Sequence, residues 1–75
     1  MEKDICQLFG KRIRALRSEQ KWSQEKLSEV TDFHRTYIGM IERGERNPSL
    51  RNIERFAKAF DLNISELLMI SELTK

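Results

Sequence analysis

Residues 24–44 read QEKLSEVTDFHRTYIGMIERG, and the fold turns on how this stretch is parsed. Leu27 and Val30 lie three residues apart, as do Ile38 and Ile41, the spacing of apolar residues on one helix face. The spacing predicts a helix from Ser23 to about Val30 and another from about Arg35 to Arg43, with Phe33 between them also inward. Ser23 is suited to cap the first of these, its hydroxyl accepting from a backbone N–H that lacks a helical partner. Trp22 and Leu27 occupy the positions of a hydrophobic staple around that cap. Thr31-Asp32-Phe33-His34 supplies a tight turn, and Asp32 belongs to the few residue types that tolerate the left-handed conformation. Gly44 is a natural stop for the second helix.

Working outward, the rest of the chain is helical too. Ile5, Leu8, Phe9, Ile13 and Leu16 form one stripe on a first helix, about Asp4 to Gln20. After the loop Glu45-Arg46-Asn47-Pro48, Ser49 caps a fourth helix, Leu50 to Phe60, with Leu50, Ile53, Phe56, Ala57 and Phe60 inward. Asn63-Ile64-Ser65-Glu66 has the form of a capping box. It opens a fifth helix expected to reach about Glu72, carrying Ile64, Leu67, Leu68 and Ile70. Strand-like alternation is absent. The expected fold class is all-α: one compact five-helix bundle over residues 1–75, with residues 24–44 as a helix-turn-helix pair.

Composition bounds what such a chain does. Seventy-five residues make one small domain, 35% charged and 39% hydrophobic, as in a soluble fold. No apolar run approaches the roughly 20 residues of a membrane span. Met1 to Ile5 carries mixed charge without a long apolar segment, which argues against a secretory signal. A cytoplasmic location follows as the expectation. Cys6 is the single cysteine and His34 the single histidine, so neither a zinc cluster nor a histidine-based catalytic centre is supplied. Cys6 reads as a small core residue, and Trp22 and the phenylalanines as core rather than as a base-stacking platform. With no nucleophile–base pair and no phosphate-cradling glycine loop, no enzyme, cofactor or metal is expected.

Charge distribution is more telling than the net +2: residues 11–26 sum to +4 and residues 34–55 to +2. Taken alone, such residues are ordinary solvated helix faces. The outward face of the second helix of the pair, however, is Arg35, Thr36, Gly39, Met40 and Arg43, with no acid among them. An exposed helix of this kind has the width of the major groove of B-form DNA.

Four segments then carry a resemblance: Trp22-Ser23-Gln24-Glu25-Lys26-Leu27, Arg35-Thr36-Tyr37-Ile38, Ile41-Glu42-Arg43-Gly44 and Asn47-Pro48-Ser49-Leu50. In order and spacing across about residues 7–70 the chain resembles the phage Cro/C1 repressor (XRE) helix-turn-helix family. Its small size and its Arg-Thr-Tyr-Ile start to the third helix further resemble the controller proteins of restriction–modification systems. The resemblance implies a lambda repressor-like DNA-binding domain and a sequence-specific transcriptional regulator of double-stranded DNA. It implies base contacts from Arg35 and Thr36, with Arg46 gripping phosphate and standing as a second candidate for a base; Gly39 and Met40, on the same outward face, are read beside them as further base contacts. Arg35 is suited to guanine, Thr36 to a base or a thymine methyl, and Met40 to thymine methyls or to DNA shape. Phosphate contacts are implied for Gln24, Tyr37, Arg43 and Asn47, and a structural ion pair for Arg17 and Glu42; Ser23 and His34, the latter a turn or N-cap residue, are read as lying next to phosphate as well. The apolar run around Ile64, Leu67, Leu68, Met69 and Ile70 is implied as the interface of a homodimer on a roughly palindromic operator, with RNA polymerase as a further partner. Ser28 stands where the family commonly has alanine, Asp32 where it has the turn glycine, and Lys26 where it has an acid. Gly39 is unusual, since glycine inside a helix costs about 1 kcal/mol against alanine; the expectation is that it leaves room for a base pair or a backbone close to the helix. An antitoxin-like or adaptor module, binding a protein through its fifth helix, is the alternative reading.

Overall fold

A computed structural model describes residues 4–70. They form five helices: α1 (Ile5–Glu19), α2 (Gln24–Thr31), α3 (Arg35–Glu42), α4 (Leu50–Ala59) and α5 (Ile64–Leu67). Each begins on a residue whose side chain accepts from a backbone N–H of the first turn: Asp4, Ser23, His34, Ser49 and Asn63. Asn63 and Glu66 complete a reciprocal capping box. The bends after α1, α2, α3 and α4 each contain one left-handed residue, Lys21 (φ 59°), Asp32 (64°), Gly44 (75°) and Asp61 (58°). At Gly44 any Cβ would also meet Gln7 Cγ at 2.7 Å and Cα at 2.9 Å, so the turn after α3 closes directly onto α1.

The core gathers Phe9, Ile13 and Leu16 of α1, Leu27 of α2, Ile38 and Ile41 of α3, Phe56, Ala57 and Phe60 at α4, and Leu67. Phe9 packs edge-on to Phe56 at 5.9 Å between centroids, and Trp22 stacks on Phe60 at 5.7 Å. The crossing of α1 and α3 is the tightest contact. A Cβ on Gly10 would collide with the Ile41 carbonyl oxygen and lie 2.7 Å from that of Glu42. Only a residue without a side chain lets the two backbones approach so closely.

Several sequence expectations are corrected. Val30 is 40% exposed, because the inward stripe of α2 is Leu27 and Thr31, one turn apart. Thr31 is buried, its hydroxyl donating to the Leu27 carbonyl at 2.7 Å and accepting from the Phe33 N–H at 3.2 Å. Leu50 is 70% exposed and Ile5 51%. Both are first residues of their helices, where the chain has not yet turned onto the core.

The fifth helix ends at Leu67 rather than reaching about Glu72, and residues 71 and 72 lie outside the described residues. Arg12 accounts for the stop. Its Nε donates to the Leu67 carbonyl at 3.0 Å and its Nη2 to that of Glu66 at 2.9 Å, satisfying carbonyls at the end of a one-turn helix. Leu67 and Ile70 are buried in the bundle itself. They therefore offer no surface to a partner, which leaves half-buried Ile64 and Leu68 and exposed Met69 from the expected apolar run.

Candidate nucleic-acid interface

The pair α2–α3 presents the start of α3 to solvent. Arg35 and Thr36 are both exposed there. His34 caps the helix, its Nδ1 accepting from the Thr36 N–H at 3.1 Å. In the neutral ring the proton then resides on Nε2, a donor. Ser28 Oγ donates to the Phe33 carbonyl and ties α2 to the turn, a bond that alanine at this position cannot make.

An ion pair fixes α3 against α1. Arg17 Nε and Nη2 donate to the two carboxylate oxygens of Glu42 at 2.7 and 3.0 Å, with side chains 15% and 4% exposed. Arg17 Nη1 donates to the Trp22 carbonyl at 2.9 Å, just before the cap of α2. Gln24 Nε2 donates to Glu42 Oε1 at 3.1 Å. One carboxylate thus joins α1, α2 and α3, and its hydrogen bonds raise the pKa of the Arg17 guanidinium further above its ordinary value. One Gln24 amide proton is committed here, and the second remains for a ligand. Among the described residues no buried side-chain nitrogen or oxygen lacks a partner.

Around α3, the expected residues differ in their state. Ser23 is exposed, and its Oγ accepts from the Lys26 N–H at 3.0 Å. Tyr37 is half-buried against Phe33, at 4.9 Å between centroids. Its hydroxyl accepts from Asn52 Nδ2 at 3.0 Å and keeps its own proton to donate. Met40 is half-buried, with Arg46 Nε 3.3 Å from its sulfur, so the exposed Arg46 side chain lies beside the helix. Asn47 is exposed in the loop. Gly39, expected to stand open, is buried beneath the Arg43 side chain. Arg43 is itself paired with Glu45, Nε to Oε2 at 2.8 Å.

Sequence reasoning missed Gly10, Arg12, Glu45 and Asn52. It also missed Arg55, which lies over the Phe33 ring at 4.4 Å and within 3.9 Å of Asp32. Only Glu45 carried a local signal, being two residues from Arg43. Among the described residues, no three potential metal ligands come together and no helix is long and apolar enough to cross a membrane.

Comparison with known proteins agrees with this geometry. The helix-turn-helix family profile matches residues 13–67. The chain is 49% identical over 69 residues to the control protein C.BamHI of Bacillus amyloliquefaciens, covering 91% of this chain and 85% of that one. It is 40% identical over 65 residues to the control protein C.SmaI of Serratia marcescens, covering 87% and 77%. The crystal structure of the restriction–modification controller protein C.AhdI from Aeromonas hydrophila superposes with a TM-score of 0.79 at 44% identity, covering 83% of this chain and 94% of that one. An exposed, capped α3 braced by a buried carboxylate and these relatives lead to one assignment: the chain belongs to the Cro/C1-type helix-turn-helix family and is a DNA-binding transcriptional regulator, not an enzyme.

Proposed function

We propose that two copies of the chain bind a roughly palindromic operator, with one α3 in each of two major grooves about 34 Å apart. The observation that carries this reading is the exposure of Arg35 and Thr36 at the capped start of a helix whose other end is braced on α1. In this reading Arg35 and Thr36 meet base edges, with Met40 and Arg46 beside them. Ser23, Gln24, His34, Tyr37 and Asn47 hold phosphates. The regulator works in the cytoplasm on the nucleoid, and operator position relative to RNA polymerase decides between repression and activation. Likeness to the control proteins supports restriction–modification genes, and its own gene, as targets.

Footprinting on DNA flanking its own gene tests the reading. Arg35→Ala should cost about 1–3 kcal/mol on a protected site and relax base preference there. Gln24→Ala should weaken all sequences alike. Equal losses for both variants on matched and scrambled duplexes would remove the division between base and phosphate contacts. A stoichiometric protein partner with no footprint at low salt would favour the adaptor reading instead.

Pairing of copies is assigned to the apolar surface that remains outside the core. Leu50 and Ile64 line one shallow groove, and Ile5 and Leu68 line a second cleft. Met69 is 65% exposed beside Leu68 in sequence, and burial of these apolar side chains favours association. Leu50→Glu combined with Met69→Glu should weaken self-association at least tenfold by sedimentation equilibrium while the helical circular dichroism is retained. A parent chain that stays monomeric at roughly tens of micromolar overturns the assignment.

A further inference from the structure

Gly39 lies on the same face of α3 as Arg35 and Arg43, four residues from each, and yet it is buried. The cover is the Arg43 guanidinium. A Cβ at Gly39 would meet Nη1 at 3.1 Å and Cζ and Nη2 at 3.9 Å. Arg43 is therefore folded back along the helix over the gap, in the direction that helical side chains lean. Glu45 holds it there through two hydrogen bonds, Nε to Oε2 at 2.8 Å and Nη2 to Oε1 at 3.3 Å.

This arrangement uses one edge of the guanidinium and leaves the other. Of its five N–H groups, Glu45 engages the Nε–H and one on Nη2. The remaining Nη2 proton and those on Nη1 form the fork that guanine O6 and N7 accept. The same pairing makes Arg43 a poor phosphate ligand, because its charge is offset and a carboxylate stands beside it. The loss of helix stability at Gly39 also finds a reason, since an alanine there would crowd the guanidinium.

We propose that Arg43 reads a guanine in the major groove, with Gly39 as its seat and Glu45 as the positioning residue. It is thus a specificity determinant rather than a phosphate contact. The proposal rests on the operator-binding reading above. Folding back by about one turn places the fork on the order of 6 Å along the helix from Arg35. The guanine is then roughly two base-pair steps from the base facing Arg35.

Selection from a pool of random-sequence duplexes tests this, using the unaltered chain, Arg43→Ala, Glu45→Gln and Gly39→Ala, each first checked for an intact thermal melt. The unaltered chain should select a motif in which one guanine loses its preference in Arg43→Ala while the other positions keep theirs. A deazaguanine lacking N7 at that position should weaken the unaltered chain about tenfold and leave Arg43→Ala unchanged. Glu45→Gln should bind a scrambled duplex more tightly, with a salt dependence steeper by about one, and discriminate less at the same guanine. Gly39→Ala should lose part of that discrimination. The proposal is overturned if Arg43→Ala weakens the motif and the scrambled duplex equally, with the motif unchanged and the salt slope lower by about one, the behaviour of a phosphate ligand. Failure of the unaltered chain to select any motif overturns the operator reading and this one with it.

Discussion

Replacing Glu42 with alanine is expected to remove about 3–5 kcal/mol of stability, enough to leave a domain of this size largely unfolded at growth temperature. The carboxylate is 4% exposed and accepts from both Arg17 and Gln24. Without it the guanidinium keeps only the Trp22 carbonyl in a partly buried site. Urea denaturation followed by circular dichroism measures the loss. Gln24→Ala deletes one hydrogen bond and leaves the ion pair, so its cost should be nearer 1 kcal/mol. The double replacement Arg17→Met with Glu42→Leu should be more stable than Glu42→Ala, because no unpaired charge is left behind. If Glu42→Ala melts within a degree or two of the parent, the carboxylate is not what joins the three helices.

The second large effect is expected at Gly10. An alanine there would press its methyl group onto the carbonyls of Ile41 and Glu42, which are main-chain atoms and cannot rotate aside. Separating α1 from α3 costs about 1–3 kcal/mol or more, against about 1 kcal/mol gained from better helix propensity. With those main-chain atoms under 3.0 Å away the cost falls at the upper end, and a net loss of about 2 kcal/mol corresponds to a midpoint lowered by roughly 8–16 °C in scanning calorimetry. The displacement also moves α3 relative to α2, so operator affinity measured well below the midpoint should fall as well. An unchanged or higher midpoint would mean that the crossing is looser than the geometry indicates.

These two sites differ in how far the sequence discloses them. Capping residues act on their own next few residues, so Ser23, Ser49 and Asn63 could be placed by local chemistry alone. Asp32 could be assigned to its turn for the same reason. Gly10 leaves no such trace, because its role is a property of the helix that crosses it. The expectation that Val30, Leu50 and Ile5 face inward failed for a related reason. A helix of two turns has too few residues to define its buried face, and a first-turn residue lies at the edge of that face. Arg12 counts in the sequence only as one charge in the basic stretch 11–26, and Arg43 as a phosphate contact, whereas the fold commits one to the end of α5 and the other to Glu45. Net charge along the chain does not record which cations already have an acceptor. The ion pair of Arg17 and Glu42, by contrast, came from resemblance, since residues 25 positions apart carry no periodic signal.

Leu67 and Ile70 have a consequence for how the regulator comes into being. Leu67 belongs to the core cluster that holds Phe9, Ile13 and Leu16 of α1, and Ile70 is buried three residues on, so α5 completes what the first helix started. A growing polypeptide has α3 in hand before it has Leu67, which packs in the same core as Ile38 and Ile41 of that helix. A steady α3 should therefore await Leu67 rather than the synthesis of α3 alone, and the delay between message and regulation includes the emergence of Leu67 from the ribosome.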